Sequence, residues 1–308
     1  MSTVEQETMT PAETLQLQYA AMRVQFTWMG VRKAVSDQHR DEAADEFGAQ
    51  AKMLSLSKKL IDTKHEAYRA CSKIKREITS EFKRVSLPYP ETGIRLVPHK
   101  KMDDFDEFMQ DAQGRLNQAS SRLQDRYAEL RDKARNDLGR LFNEDDYPDT
   151  IENLFAVQWN VENVNPPDYL LELKPGLYER ELQRVRSMFN NAVEMAEEAF
   201  VSDMAKLVDG LHERLTDNED GTPKVFGDGC VDKLKDFIGR FRELSVRSND
   251  DLEKLVNECD QLTRGVTADT FRNIPELRQH VAQKLAEVKE AMESDLVVLP
   301  RRKIKRRK

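Results

Sequence analysis

One narrow apolar stripe constrains this chain more than any other feature. Between Asp103 and Phe142 the apolar residues fall at Phe105, Met109, Ala112, Leu116, Ala119, Leu123, Tyr127, Leu130, Ala134, Leu138 and Leu141. Steps of three and four place all of them on one side of a helix. The positions between are crowded with Asp, Glu, Gln, Arg and Lys, so the back of that helix is solvated. A stripe so narrow, held over so many turns, is what a partner helix buries in coiled-coil fashion. At about 1.5 Å per residue such a rod is on the order of 60 Å long. The other long segments are expected to pack along it.

Composition points the same way. Charged residues make up 34% of the 308, above the roughly 25% of ordinary globular domains, and the breakers are few, with 12 Gly and 11 Pro. Long, thin helical packing follows more naturally than a wide α/β core. No run of about 18 apolar residues is present, so no membrane-spanning helix is expected. The acidic start, Met-Ser-Thr-Val-Glu-Gln-Glu, does not resemble a signal peptide. Cys71, Cys230 and Cys259 are far apart and odd in number, which fits a reducing, cytoplasmic setting, and Cys71 and Cys259 sit on apolar stripes beside Ile74 and Leu262, which fits buried thiols. His39, His65, His99, His212 and His280 are equally scattered, and no Cys or His pair has zinc-ligand spacing. No cofactor is expected.

Along the chain, residues 1–9 read as a disordered N-terminus. Thr10-Pro11-Ala12-Glu13 has the form of a helix start, and the short helix after it runs to about Tyr19. The period then changes to two. Met22, Val24, Phe26 and Trp28 alternate with polar residues, as do Phe155, Val157, Trp159 and Val161. Strands near 22–28 and 155–161 are expected to pair and to lay their Trp-bearing faces on helices. Ser36 with Asp37 caps a helix towards Phe47, Gly48 interrupts it, and Met53 to Ile61 are expected to continue as helix. A further helix with Glu66 in its first turn carries Tyr68, Cys71, Ile74, Ile78, Phe82 and Val85 on one face. Ser86 to Gly93 is turn-forming, and Ile94 to Val97 is at most a short extended piece.

Leu177 to Leu215 forms the second long helix, with Tyr178, Leu182, Val185, Phe189, Ala192, Ala196, Phe200, Leu207 and Leu211 as its stripe. It is the expected partner of the 103–142 helix. The domain plan is an elongated helical domain over 10–216, a loop over 217–229, C-terminal helices over 230–296 and a basic disordered tail over 297–308. The fold class expected is mostly α: an elongated antiparallel helical bundle with coiled-coil hairpins and a small two-stranded β element.

Few constellations suit chemistry. Asp103, Asp104, Asp106 and Glu107 could attract a divalent cation, but adjacent helical carboxylates diverge, and capping of the positive helix end is the better reading. Glu144-Asp145-Asp146 reads as a polar helix exit. Cys71 lies near Lys73 and Lys75, yet its apolar stripe favours a core thiol over an activated one. Trp28 and Trp159 could stack bases, but their Val, Phe and Met neighbours favour packing. Arg95, His99, Lys100 and Lys101 form a modest basic knot of the kind usually left in solvent. No glycine-rich phosphate loop and no nucleophile elbow is present.

The tail differs in kind. Arg301, Arg302, Lys303, Lys305, Arg306, Arg307 and Lys308 are seven positive charges, so the preceding 300 residues carry −14 against an overall −7. Such a tail seeks polyanions, and each phosphate neutralised adds salt-sensitive affinity.

Three stretches carry a resemblance: Trp28-x-Gly30-x-Arg32-Lys33, Ser57-Lys58-Lys59-Leu60-Ile61-Asp62-Thr63-Lys64-His65, and Ser86-Leu87-Pro88-Tyr89-Pro90-Glu91-Thr92-Gly93-Ile94-Arg95-Leu96-Val97. Together they resemble a group of bacterial and phage proteins of unknown function, of a kind often encoded near AAA+ ATPases on mobile elements. The resemblance covers about the first 220 residues, leaves out the tail and implies no catalytic residues. The function expected is a non-enzymatic helical interaction or assembly protein, phage or mobile-element encoded, with a protein partner or self-association through helical faces and no membrane. The alternative is an accessory protein that binds DNA or RNA through the tail.

Overall fold

A computed structural model describes residues 9–216, 224 and 229–292. Its elements in chain order are α1 (Pro11–Gln18), β1 (Tyr19–Trp28), β2 (Arg32–Ala34), α2 (Asp37–Phe47), β3 (Ser57–Lys59), α3 (Glu66–Arg84), β4 (Leu87–Pro88), β5 (Ile94–Pro98), α4 (Met102–Asp125), α5 (Tyr127–Leu138), β6 (Phe155–Val161), α6 (Tyr169–Leu173), α7 (Pro175–Leu215), α8 (Gly229–Leu244), α9 (Asp250–Thr263), α10 (Ala268–Asn273) and α11 (Pro275–Ala291). Local signals set several of the boundaries. The Thr10 hydroxyl accepts from the Glu13 N–H while the Glu13 carboxylate accepts from the Thr10 N–H at 2.8 Å, a complete capping box for α1. Gly48 ends α2 at φ 62°, a left-handed position that any side chain would strain.

The mostly helical character is as expected, but the bundle is not. A four-stranded sheet in the order β4-β5-β1-β6 and a separate two-stranded ribbon, β2-β3, replace the single two-stranded element. The two anticipated strands do pair, antiparallel, from Met22 opposite Val161 to Trp28 opposite Phe155. The additional strands are too short, or too rich in Lys and Arg, to show a two-residue apolar period. The ribbon also displaces part of the expected 53–61 helix: only Ala51–Met53 forms a 3₁₀ turn, and Ser57–Lys59 is strand.

The described residues fall into two compact units that interleave along the chain. One comprises the residues up to Ala21, Val85–His99 and those from Glu162 onward; the other comprises Met22–Arg84 and Lys100–Val161. In the second unit α3 packs on α4. Phe82 stacks on Phe105 at 5.5 Å, and Arg115 reaches Glu77 at 2.8 Å. The long stripe is buried as read from Phe105 to Ala134, while Leu138 and Leu141 are only half-buried. The rod is broken at Arg126 (φ −97°, ψ −1°) and stops at Gly139, so α4 and α5 stand in place of one helix to Phe142. Strand β6 lies on α4, where the Gln113 side chain donates to the Val157 carbonyl at 3.2 Å.

In the first unit α7 is the spine, contacted by α1, β4, α6, α8 and α11. The expected pairing of α7 with the 103–142 helix is therefore replaced by partners within its own unit. Its buried stripe runs Val185, Phe189, Ala192, Ala196, Phe200, Met204, Val208, Leu211 and Leu215, drifting from Leu207 to Val208 past Phe200. The Arg278 side chain from α11, 8% exposed, donates to the Leu215 carbonyl at 2.9 Å and the Arg214 carbonyl at 3.1 Å. A cation thus satisfies the bare carbonyls at the negative end of the 41-residue helix. The 217–229 loop, the end of the last C-terminal helix and the basic tail lie wholly or mostly outside the described residues.

Candidate interaction surface

The most distinctive surface belongs to the unit of Met22–Arg84 and Lys100–Val161, and it begins with an electrostatic conflict. The ribbon register sets Arg32 opposite Lys59 and Lys33 opposite Lys58. Like charges directly across a strand pair repel. Asp146 resolves half of this. Its carboxylate, 3% exposed, meets Lys33 and Lys58 at 2.6 Å each, and the Lys58 ammonium also donates to the Leu141 carbonyl. Burial pushes the Asp146 carboxyl up, but the hydrogen bonds and charges of the two lysines hold it below the usual carboxylate range. The next residue fixes the same turn, with the Tyr147 hydroxyl donating to the Leu60 carbonyl at 2.8 Å. So the run Glu144-Asp145-Asp146 is no simple helix exit. Its last member clamps the ribbon.

The other cross-strand pair, Arg32 and Lys59, is exposed and has no carboxylate partner among the described residues. Beside the ribbon lies a set of bare apolar side chains. Phe47, which ends α2, is 75% exposed; Met53, in the 3₁₀ turn that packs on α2, is 77% exposed; Leu56, leading into β3, is 37% exposed. Solvent-facing Asp37, Asp41, Glu42, Asp45 and Glu46 line α2 itself. One surface thus carries a basic edge, an acidic helix and large apolar groups without cover.

Asp103 and Asp104 sit exposed in the first turn of α4, but Asp106 turns to the sheet and accepts from the Trp159 indole at 2.7 Å. Trp28 is packed rather than open. Lys75 lies 4.3 Å from its ring centre, Phe155 meets it edge-on at 4.8 Å, and its indole N–H donates to the Tyr68 hydroxyl at 3.4 Å. Cys71 is fully buried, and burial pushes its thiol up to about 11; burial likewise takes Cys259 to about 12. Native protein at pH 8 should therefore label with a thiol reagent at the partly exposed Cys230 alone, with Cys71 and Cys259 reacting only in denaturant. Three fast thiols would contradict this packing. His99 and Lys100 of the basic knot face solvent, whereas Arg95 is half-buried. The tail residues Arg301 to Lys308 lie outside the described residues.

The Asp146 clamp and the Phe47–Met53 surface were not legible in the sequence. Exposed Phe and Met at a helix end carry no periodic signal, and Asp146 is far in sequence from both lysines. Among the described residues no helix is long and apolar enough to cross a membrane. Comparison with protein-family models, with curated proteins and with solved structures returned no match.

Proposed function

We propose that this chain is a non-enzymatic interaction protein that associates with a second copy of itself through the surface formed by α2, the Ala51–Met53 turn and the β2-β3 ribbon. The observation that carries this reading is the exposure of Phe47 and Met53 between an acidic helix and a basic strand pair. Large apolar groups grouped in this way mark docking sites. The surface is also self-complementary in charge. In a two-fold arrangement the carboxylates of α2 in one copy face Arg32 and Lys59 of the other, and the same contact repeats in reverse. Two of the three cysteines are buried as protonated thiols and Asp146 is engaged by two lysines, so these groups serve packing rather than reaction.

Light scattering of the full chain during gel filtration tests this. A dimer is expected at micromolar concentration, and the double variant Phe47→Ser, Met53→Ser should run as a monomer with an unchanged helical circular-dichroism signal. Burying one such side chain is worth about 1.5–3 kcal/mol, so loss of the two should weaken self-association by about a hundredfold or more. Arg32→Glu with Lys59→Glu should weaken it as well, and more at low salt than at high. A wild-type chain that stays monomeric at tens of micromolar would refute the proposal.

The second reading, contact with nucleic acid through Arg301, Arg302, Lys303, Lys305, Arg306, Arg307 and Lys308, rests on the charge of that segment. DNA or RNA binding that steepens at low salt and disappears on truncation after Pro300 would support it.

A further inference from the structure

In the unit built on α7, two partly buried arginines, Arg95 and Arg240, lie near each other with one paired carboxylate, Asp203, on Arg240. Arg95 projects from β5 where its neighbours Ile94 and Leu96 are buried in the core. Its Nε donates to the Ser86 hydroxyl at 2.7 Å and its Nη2 to the Ser86 carbonyl at 3.0 Å. Both partners are neutral. Among the described residues no carboxylate pairs with Arg95.

Arg240, from α8, lies over the Phe200 ring with its guanidinium carbon 5.5 Å from the ring centre, and its Nη1 reaches Asp203 at 3.1 Å. Its Nε is buried and has no hydrogen-bond partner. The two arginines are near each other. Leu87, next to Ser86, lines the same crevice as Phe200 and Phe241, and β4 packs on α7. Burial, with the Arg240 charge beside it, pulls the Arg95 guanidinium down to about 10. Glu197 borders that crevice but forms no ion pair with either guanidinium.

Each guanidinium offers five N–H donors in a planar fork. Arg95 uses two on Ser86 and Arg240 uses one on Asp203. Desolvating two like charges with a single carboxylate between them is costly, and a bound oxyanion offsets that cost. A tetrahedral phosphate has the oxygens to accept from both forks at once and the charge to balance the excess. We propose that Arg95 and Arg240, with Ser86 and Asp203 orienting them, form a binding site for a phosphate group, carried either as the free anion or as a phosphomonoester. Ser86, just before β4, fixes the plane of one fork, and Phe200 with Asp203 fixes the other from α7. This site is separate from the α2–ribbon surface and does not depend on the self-association reading.

The test uses the full chain, with inorganic phosphate titrated against sodium chloride of equal ionic strength and glycerol 3-phosphate as a third arm, followed by calorimetry and thermal melting. Phosphate should bind and raise the melting temperature beyond chloride. Arg240→Gln should weaken phosphate binding at least tenfold, whereas Arg242→Gln, a surface arginine paired with Asp260, should leave it unchanged. Should Arg95→Gln fail to fold because it loses the Ser86 bonds, Arg95→Lys serves in its place: it keeps the charge, loses the fork and should also weaken binding. Comparable affinity for phosphate and glycerol 3-phosphate identifies a free-anion site. Tighter glycerol 3-phosphate identifies a subsite for a phosphorylated molecule. Absence of stabilisation beyond chloride, or phosphate binding that survives Arg240→Gln intact, overturns the proposal.

Discussion

Asp146→Asn is expected to destabilise the protein by about 3–5 kcal/mol, the usual cost of removing one partner from a buried ion pair. The substitution keeps the shape of the side chain but leaves Lys58, whose side chain is 8% exposed, facing Lys33 across the ribbon without a counter-charge. Most of the effect comes through Lys58, because Lys33 is 55% exposed and can return to water. Urea denaturation should show a lower midpoint with an unchanged slope. A second substitution, Lys58→Met, should recover much of the loss by removing the stranded charge. A loss below about 1 kcal/mol would mean that the carboxylate is solvated in the native state.

The same carboxylate makes stability depend on pH in a defined direction. Its folded value is held below the unfolded one, so the unfolded state binds a proton first as pH falls. The contribution is complete above the ordinary aspartate value of about 3.9 and is lost as pH drops through the lower folded value. Wild-type and Asp146→Asn stabilities should therefore converge in acid and diverge above about pH 4 to 5.

Phe200→Ala is the second large effect, expected at about 3–5 kcal/mol from lost transfer energy and the cavity left behind. Phe200 is 4% exposed on the spine helix and meets Phe241 edge-on at 5.0 Å and Phe237 at 6.2 Å. Such ring pairs add about 0.5–1.5 kcal/mol beyond area burial. Phe200→Leu should cost less, since it refills part of the volume. The melting temperature checks both, and a shift within error for Phe200→Ala would mean that the α7–α8 packing is wrong.

How much of this could be read from the residues follows from the range of each interaction. The α4–α5 stripe and the β1–β6 pair were legible because their period is written in adjacent residues: Gln25 and Thr27 are exposed while Phe155 and Val157 are buried, as alternation requires. Strand β4 was not, because Leu87-Pro88 is too short for any period; Ile94 to Val97, three apolar residues and one arginine, reads as a short extended piece, but nothing in it marks its place in the sheet. The ribbon leaves no sequence signal because Arg32-Lys33-Ala34 and Ser57-Lys58-Lys59 have no apolar face at all; the register and Asp146 hold them. The same limit applies to the choice of helix partner. Two narrow stripes fit each other on paper, yet α3 was the nearer partner for α4 and α8 and α11 for α7. Arg95 looked like part of a solvated knot because its contact with Ser86 and its nearness to Arg240 depend on strand and helix placement.

The interleaving of the two units has a consequence in time. The unit that holds α3, α4 and β6 has all its segments once residue 161 has been made, so it can close while the chain is still growing. The other cannot. Leu15, Leu87 and Leu96, each at most 1% exposed in the finished protein, belong with a spine that starts at Pro175. At about 5–20 residues per second, Leu15 waits roughly 10–40 s for the end of that helix. During the interval these early apolar segments are the natural clients of a chaperone, and a ribosome stalled short of α7 would release them uncovered.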